Sequence, residues 1–263
     1  MPCDAHVHLK NLLDLEPEAE SVRRRLGIAA AASAWNREEF AVHRELSAAA
    51  RRDGAPPVFP CFAIHPQAPR SLAEAGTGDA PIRDSALAEY AAAGELAAVG
   101  ETGFDLFDER YRATEAEQDR LFALHLDAAL AYGLPLVLHV RRAMHKIFLH
   151  TKALKRLPAV VFHSWPGSPA EGFSLLRRGL NAFFSFGTAV LLNHKNAIRS
   201  CAAFPAETLL FETDAPFQPP RGTRYSSFRD LSAVVRAAAA IRGDTAPELE
   251  RISDASFFRV FGR

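Results

Sequence analysis

Short apolar runs alternate with amphipathic stretches along the whole chain. Residues 135–138 and 159–162 are apolar throughout, which is typical of parallel strands that are buried on both faces. The segment from Thr114 to Tyr132 instead places Leu121, Leu124 and Ala128 at three-and-four spacing, which predicts an amphipathic helix. The pattern predicts eight strands, near 3–8, 28–33, 58–64, 96–101, 135–139, 159–163, 182–186 and 208–213.

Helical patterns fill the intervals between these strands, and a final helical block covers 226–262. The other predicted helices lie at about 17–26, 37–53, 84–94, 114–132, 143–156, 169–179 and 193–203. Eight alternating strands and helices predict an α/β fold, a (β/α)8 TIM barrel that forms a single domain over residues 1–263. A doubly wound open sheet is the alternative, but no Gly-x-Gly-x-x-Gly motif follows the first strand.

The composition fits this architecture, because 263 residues with 48% hydrophobic content can bury a large core. No apolar run approaches the roughly 18–20 residues needed to span a bilayer, and the start of the chain does not resemble a secretory signal. The three cysteines form no Cys-x-x-Cys pair and provide no disulfide framework. We therefore expect a cytoplasmic protein, with no membrane association and no evident obligate protein partner.

The formal net charge is zero, which argues against a protein coated with basic residues for bulk binding of nucleic acid. The charges are unevenly distributed, however. Residues 1–127 hold 13 Lys and Arg against 22 Asp and Glu, whereas residues 128–206 hold 10 Lys and Arg against the single acid Glu171. The basic stretch is either an ordinary solvated surface or a source of attraction for a phosphate-bearing substrate.

Histidines and carboxylates recur at the ends of the predicted strands. His6 and His8, two residues apart, point to the same side of the first strand and can share a metal ion. Barrel enzymes place their chemistry at the C-terminal ends of the strands. A lone histidine there is more often structural, but coincidence explains poorly the same placement on several strands. The other strand-end residues are His65, Glu101, His139, His163 and Asp214. Six nitrogen and oxygen ligands could hold two divalent ions that activate water.

The motifs around these residues occur in a fixed order. They are Asp4-Ala5-His6-Val7-His8, Ala63-Ile64-His65-Pro66, Gly100-Glu101-Thr102-Gly103, Leu138-His139-Val140-Arg141, Phe162-His163-Ser164 and Glu212-Thr213-Asp214-Ala215-Pro216. In these motifs the chain resembles the TatD-type metal-dependent hydrolases, a deoxyribonuclease-like family of the amidohydrolase superfamily. The resemblance runs from residue 4 to about residue 262, and its most specific part is Glu-Thr-Asp-Ala-Pro.

The resemblance implies two divalent metal ions, which could be Zn, Mn, Mg or Fe. His6, His8, Glu101 and Asp214 would bind one ion, and Glu101 would bridge to a second that His139 and His163 also bind. Glu101 and Asp214 would be catalytic, because Asp214 would also orient the attacking water and accept its proton.

Further residues would act around these ions. His65, Arg141, Asp105 and Trp165 are candidate substrate contacts, and Glu212 would steady a ligand or a loop. Asp105 could equally cap a loop, and Trp165 could pack the barrel mouth rather than stack on a base.

Three positions near the strand ends depart from the family pattern. Lys10 and Arg142 stand where an acid is common, and Ser164 stands where a cysteine is common. They leave the metal ligands intact and leave the substrate preference open. His125, His145, His150 and His194 lie within helical stretches and are expected at the surface.

The sequence therefore favours a metal-dependent hydrolase of ester bonds, acting on DNA or another phosphate-containing substrate through metal-activated water. A hydrolase of a small ester, amide or phosphate, or of aminoacyl-tRNA, is the enzymatic alternative. A metal-binding scaffold without activity is the non-enzymatic one. Branches of the superfamily that bridge their metals with a carboxylated lysine are disfavoured, because the fourth strand ends in Glu101.

Overall fold

A computed structural model describes residues 1–74 and 86–262. Eight strands form one sheet in chain order, and each strand pairs in parallel with the next. Their bounds are β1 Cys3–Val7, β2 Ala29–Ala34, β3 Val58–Phe62, β4 Ala98–Asp105, β5 Leu136–Arg141, β6 Val160–Phe162, β7 Ala182–Phe186 and β8 Leu209–Phe211. The predicted (β/α)8 barrel is confirmed.

The segment that follows β8 joins the last strand to the first. The backbone N–H of Asp214 donates to the carbonyl of His6 at 3.0 Å, and that of His8 donates to the carbonyl of Ala215 at 2.8 Å. This pairing brings the residues after β8 against the end of β1.

Helices follow the strands along the chain. Within the described residues they are α1 Leu9–Leu15, α2 Ala19–Leu26, α3 Arg37–Asp53, α4 Ala68–Glu74, α5 Leu87–Ala92, α6 Glu109–Arg112, α7 Glu115–Tyr132, α8 Met144–Leu149, α9 Thr151–Leu154, α10 Pro169–Arg177, α11 Lys195–Ala203, α12 Leu231–Arg242 and α13 Ala246–Phe261. Three short 3-10 turns cover Thr188–Val190, Ala206–Thr208 and Phe228–Asp230. In residues 1–74 and 86–262, none of the helices has the length and apolar character needed to cross a membrane.

Several predicted boundaries differ from those observed. The helix predicted over 84–94 is seen as α5, and positions 84 and 85 lie outside the described residues, as does position 263 of the predicted domain. The final helical block divides into α12 and α13 because Gly243 adopts φ +77°, a left-handed conformation that glycine tolerates and that ends a helix. The segments that form α1, α4 and α6 were not predicted as helices.

One buried cluster contains side chains from all eight strands, so it must lie inside the barrel. Its members in β2, β5 and β6 include Ala31, Val137 and Val161. Successive residues of a strand point to opposite faces, so the same inward row continues from Val137 to His139 and from Val161 to His163. The alternation therefore carries both histidines into the C-terminal mouth of the barrel.

Candidate metal centre

The carboxylate of Glu101 lies at the middle of a histidine cluster in this mouth, and its residue is only 3% exposed. Its Oε1 atom is 2.7 Å from His139 Nδ1, 3.2 Å from His65 Nε2 and 3.6 Å from His163 Nε2. The cluster thus includes His65, which the sequence analysis placed among the substrate contacts. Glu101 is not the last residue of its strand, because β4 continues to Asp105.

The other oxygen of Glu101 faces a second group. Oε2 is 3.1 Å from His6 Nε2 and 3.4 Å from His8 Nε2, and these two nitrogens are 3.2 Å apart. Asp214 Oδ1 is 3.7 Å from His6 Nε2 and 3.5 Å from His8 Nε2. Ligand bonds of about 2.0–2.2 Å in a tetrahedral site separate neighbouring ligand atoms by about 3.3–3.6 Å. The spacing of these four atoms matches that geometry closely.

Two carboxylate oxygens of this second group lack hydrogen bonds. Glu101 Oε2 and Asp214 Oδ1 are buried, and within the described part of the chain neither accepts one. A buried carboxylate oxygen without a donor is costly in free energy. Imidazole nitrogens and carboxylate oxygens directed at one another are ligand types that bind transition-metal cations. The residues present therefore fit a divalent cation.

The ligand histidines are held from behind by neighbouring side chains. His163 Nδ1 lies 2.9 Å from Glu212 Oε1, which also accepts the backbone N–H of Ser164 at 2.8 Å. His6 Nδ1 lies 3.4 Å from the hydroxyl of Ser33. Such partners fix the orientation of an imidazole and increase its basicity as a ligand.

Asp105 holds His139 and the loop that follows β4. Its Oδ2 lies 3.2 Å from His139 Nε2 and accepts the Gln67 amide at 2.6 Å, and its Oδ1 accepts the backbone N–H of Phe107. Burial alone would raise the pKa of Asp105, but His139 and Gln67 outweigh it and lower the pKa to about 2. These contacts favour the capping alternative, extended by a contact to a ligand histidine.

Asp4 ties the first strand to the segment after the last one. It accepts hydrogen bonds from the Thr213 backbone N–H at 3.0 Å, the Thr213 hydroxyl at 2.6 Å and the His6 backbone N–H at 3.3 Å. Burial raises the pKa of Asp4 to about 7, although the bonds from Thr213 oppose that rise. The sequence analysis quoted Asp4 only as part of a motif and gave it no role.

The buried charges of the cluster stabilise one another. Burial opposes protonation of His8 and His163, but the neighbouring carboxylates outweigh it and raise the pKa of each imidazole to about 10. Burial would also raise the pKa values of Glu101 and Asp214, but the surrounding histidines lower both. Protons and cations therefore compete for the same nitrogens.

A groove of about 760 Å³ opens above the cluster. Its walls include Asn11, Trp35, Gln67, Arg141 and Phe217. Arg141 is 46% exposed by its side chain, and its guanidinium carbon lies 3.6 Å from the centre of the Phe107 ring. This placement leaves the guanidinium available to a ligand in the groove.

Trp165 is only 3% exposed. Its ring packs against Phe162, Phe184 and Phe204, and its indole N–H donates to the hydroxyl of Ser200 at 3.0 Å. The burial favours the packing alternative over stacking on a base.

His125 is fully buried, so the expectation that it lies at the surface is wrong. Its Nδ1 is 2.6 Å from the Thr102 hydroxyl, and its Nε2 accepts the backbone N–H of Ile64 at 3.3 Å. The signal was present in the sequence, because His125 lies on the same helical stripe as Leu121 and Ala129. Gln218, which donates to Asp214, had no such signal.

A (β/α)8 barrel with histidines and carboxylates clustered at its C-terminal mouth has the features of a metal-dependent hydrolase. The chain belongs to the family described as TatD related DNase, whose sequence profile matches residues 3–262. The resemblance found in the motifs is confirmed. The prediction of a metal-dependent hydrolase of ester bonds is confirmed at the level of that class.

Curated relatives include enzymes named 3'-5' ssDNA/RNA exonuclease TatD. The one from Musicola paradisiaca is 32% identical over 175 residues, which cover 64% of this chain and 65% of that enzyme. The one from Pectobacterium carotovorum is 34% identical over 198 residues, covering 70% and 74%.

Solved structures share the fold. A TatD homologue from Escherichia coli K12 has a TM-score of 0.81 at 24% identity, covering 99% of this chain and 98% of that one. An uncharacterized amidohydrolase from Saccharomyces cerevisiae has a TM-score of 0.77 at 15% identity, covering 99% of both chains.

Proposed function

We propose that this chain is a phosphodiesterase that hydrolyses single-stranded nucleic acid from its 3' end at a site with two divalent metal ions. The observation that carries the proposal is the position of Glu101, whose two oxygens face two separate groups of histidines. The relatives named as 3'-5' ssDNA/RNA exonucleases support the substrate class.

Two groups of residues would hold the ions. His6, His8, Asp214 and Glu101 Oε2 would hold one, and Glu101 Oε1, His139 and His163 would hold the other. His65 is close enough to Glu101 to approach the second ion as well as the substrate. When bound, the ions would acidify an attacking water and neutralise charge on the scissile phosphate. Their identity, among Zn, Mn, Mg and Fe, is a matter for measurement.

The protein side chains would supply orientation and proton transfer. Asp214 lines the groove and would accept the proton of the attacking water, a role that contributes about 10²–10⁴-fold to rate in typical enzymes. Arg141 would bind a phosphate oxygen through its planar fork of donors. Glu212 would hold His163 in the orientation that a ligand requires.

We further propose that the whole chain, residues 1–263, works as one barrel unit. Cys3, Cys61 and Cys201 are buried and free of disulfide bonds in the described part of the chain, which supports a cytoplasmic setting.

The test uses single-stranded DNA oligonucleotides that are labelled at either end and incubated with added Mn²⁺ or Mg²⁺. We expect stepwise loss from the 3' end, and a rate at least about 100-fold lower in Asp214→Asn. Asp53→Asn is the matched control, because Asp53 is an exposed acid at the C-terminal end of α3, which leads into the opposite, N-terminal end of β3. Equal rates for Asp214→Asn and wild type would eliminate the proposed role of Asp214. Cleavage of small phosphoesters without cleavage of oligonucleotides would favour the small-substrate alternative.

A further inference from the structure

A hydrogen-bonded bridge connects the ends of β6 and β8 beside the candidate metal centre. The side-chain amide of Gln218 donates from Nε2 to Asp214 Oδ2 at 2.7 Å. The Ser164 hydroxyl lies 3.2 Å from Gln218 Oε1 and 3.1 Å from Gln218 Nε2, so it contacts both ends of the amide. Ser164 and Gln218 also line the groove.

The bridge divides the two oxygens of Asp214 between separate partners. Oδ1 faces His6 and His8 at 3.7 and 3.5 Å, whereas Oδ2 faces Gln218. The nearest other nitrogen recorded for Oδ2 is His163 Nε2, at 4.0 Å, which is too far for a hydrogen bond. Within the described residues, the Gln218 amide therefore determines how the carboxylate is rotated about its own axis.

The backbone geometry of all three residues supports a constrained arrangement. Ser164, Asp214 and Gln218 have φ values of +43°, +54° and +50°, which L-residues other than glycine rarely adopt. Such conformations cost free energy and persist where the surrounding structure enforces them, often at functional sites.

Gln218 is held although its side chain is exposed. Its carbonyl accepts the Thr188 hydroxyl at 2.7 Å, and the carbonyl of Asp214 accepts the backbone N–H of Phe217 at 2.7 Å. The exposed amide is thus attached to an anchored turn and does not depend on its own packing.

We propose that Gln218, supported by Ser164, is a positioning residue for Asp214. It holds the carboxylate so that Oδ1 is presented to the ion between His6 and His8 while Oδ2 faces the groove. The residue acts through Asp214 and not on the reacting atoms. This inference rests on the proposed function for its catalytic consequence, but not for its effect on metal binding.

The proposal also gives a role to Ser164, where the resemblance predicts a cysteine. A hydroxyl both donates and accepts strong hydrogen bonds, whereas a thiol does so weakly and at longer distance. At 3.1–3.2 Å the Ser164 hydroxyl is suited to steady an amide. Replacing the cysteine by serine is therefore consistent with a glutamine at position 218.

The test measures Mn²⁺ affinity by titration calorimetry, and kcat and KM on single-stranded DNA, for Gln218→Leu, Gln218→Gly and Ser164→Ala. Partners that orient metal ligands typically contribute 10–100-fold to metal affinity or activity. We expect Gln218→Leu to weaken Mn²⁺ binding at the tighter site about tenfold and to lower kcat about tenfold, with KM changed less than about twofold. Ser164→Ala should produce a smaller loss of the same kind.

Gln218→Gly separates the amide from the backbone strain. It removes the amide but permits positive φ, so the proposal predicts the same loss as in Gln218→Leu. A Mn²⁺ affinity equal to wild type in Gln218→Gly would show that only the backbone matters, and would overturn the proposal. Mn²⁺ binding within about twofold of wild type in Gln218→Leu would overturn it as well. If wild type degrades no nucleic acid, the proposed function fails while the calorimetry still decides the role of Gln218.

Discussion

His125 offers a sharp test of how the barrel holds its candidate site. The side chain projects from α7 between Ile64 and Thr102, which immediately precede His65 and follow Glu101. His125→Leu keeps an apolar side chain of similar size but removes both hydrogen bonds. The buried Ile64 N–H and Thr102 hydroxyl would lose their histidine partner, at about 1–3 kcal/mol each. We expect a total loss of about 2–6 kcal/mol, which lowers the Tm by about 5–20 °C.

The same variant should change how stability depends on pH. Burial lowers the pKa of His125 from 6.5 to about 3, so the folded protein keeps the imidazole neutral where the unfolded chain protonates it. The unfolded state therefore binds more protons between these values, and the free energy of unfolding falls as the pH falls through that window. The contribution is fully present above pH 6.5 and decreases by up to about 1.4 kcal/mol per pH unit below it. His125→Leu lacks this contribution, so its stability should depend less steeply on pH.

Guanidinium unfolding of both proteins at several values between about pH 4 and pH 8 measures both effects. His145→Leu is the matched control, because His145 is an exposed histidine on the neighbouring α8. The control should retain the pH dependence of wild type. The reasoning would be refuted if His125→Leu were as stable as wild type at neutral pH, or if the two proteins lost stability in parallel on acidification.

Three further predictions address the metal centre and the groove. Glu212→Gln removes the charged partner 2.9 Å from His163 Nδ1 and should lower Mn²⁺ affinity or kcat about 10–100-fold, measured by calorimetry and initial rates; wild-type values for both would contradict the role of Glu212. Arg141→Ala should raise KM for single-stranded DNA about tenfold with little change in kcat, and should flatten its salt dependence relative to wild type and the exposed control Lys152→Ala; a selective loss of kcat would contradict simple phosphate binding. Chelation with EDTA should abolish hydrolysis and lower the Tm, and excess Mn²⁺ should restore both; binding at 100 times Kd is worth about 2.7 kcal/mol, so an unchanged Tm would contradict a metal held by the folded barrel.

The barrel could be predicted because its strands carry unbroken apolar runs and its helices carry a clear three-and-four pattern. The inward row of β5 and β6 also follows from simple alternation, which carries from Val137 to His139 and from Val161 to His163. For that reason the histidine cluster was accessible from the sequence, once the strands were assigned to one closed sheet.

The length of β4 was not accessible in this way. The pattern ended the strand at Glu101, whereas the structure extends it through the buried residues Thr102 and Asp105. A polar residue can remain inside a barrel when every polar atom finds a partner, and Thr102 meets His125 while Asp105 meets His139 and Gln67. Those partners come from other elements, so no local pattern reveals them. The same reason applies to Gln218, whose role depends on its approach to Asp214 and Ser164.

The position of the site in the chain links metal binding to closure of the barrel. His6 and His8 belong to the beginning of the chain and Asp214 to the segment after the last strand, so these ligands meet only when the two ends of the sheet come together. Asp4 makes that junction directly, because its carboxylate accepts both donors of Thr213 across 209 positions of sequence. A cation held by these ligands would add a second connection at the same junction. Metal binding should therefore stabilise the junction of β1 with the segment after β8 more than the pairing of β2 with β3, which carries none of these ligands.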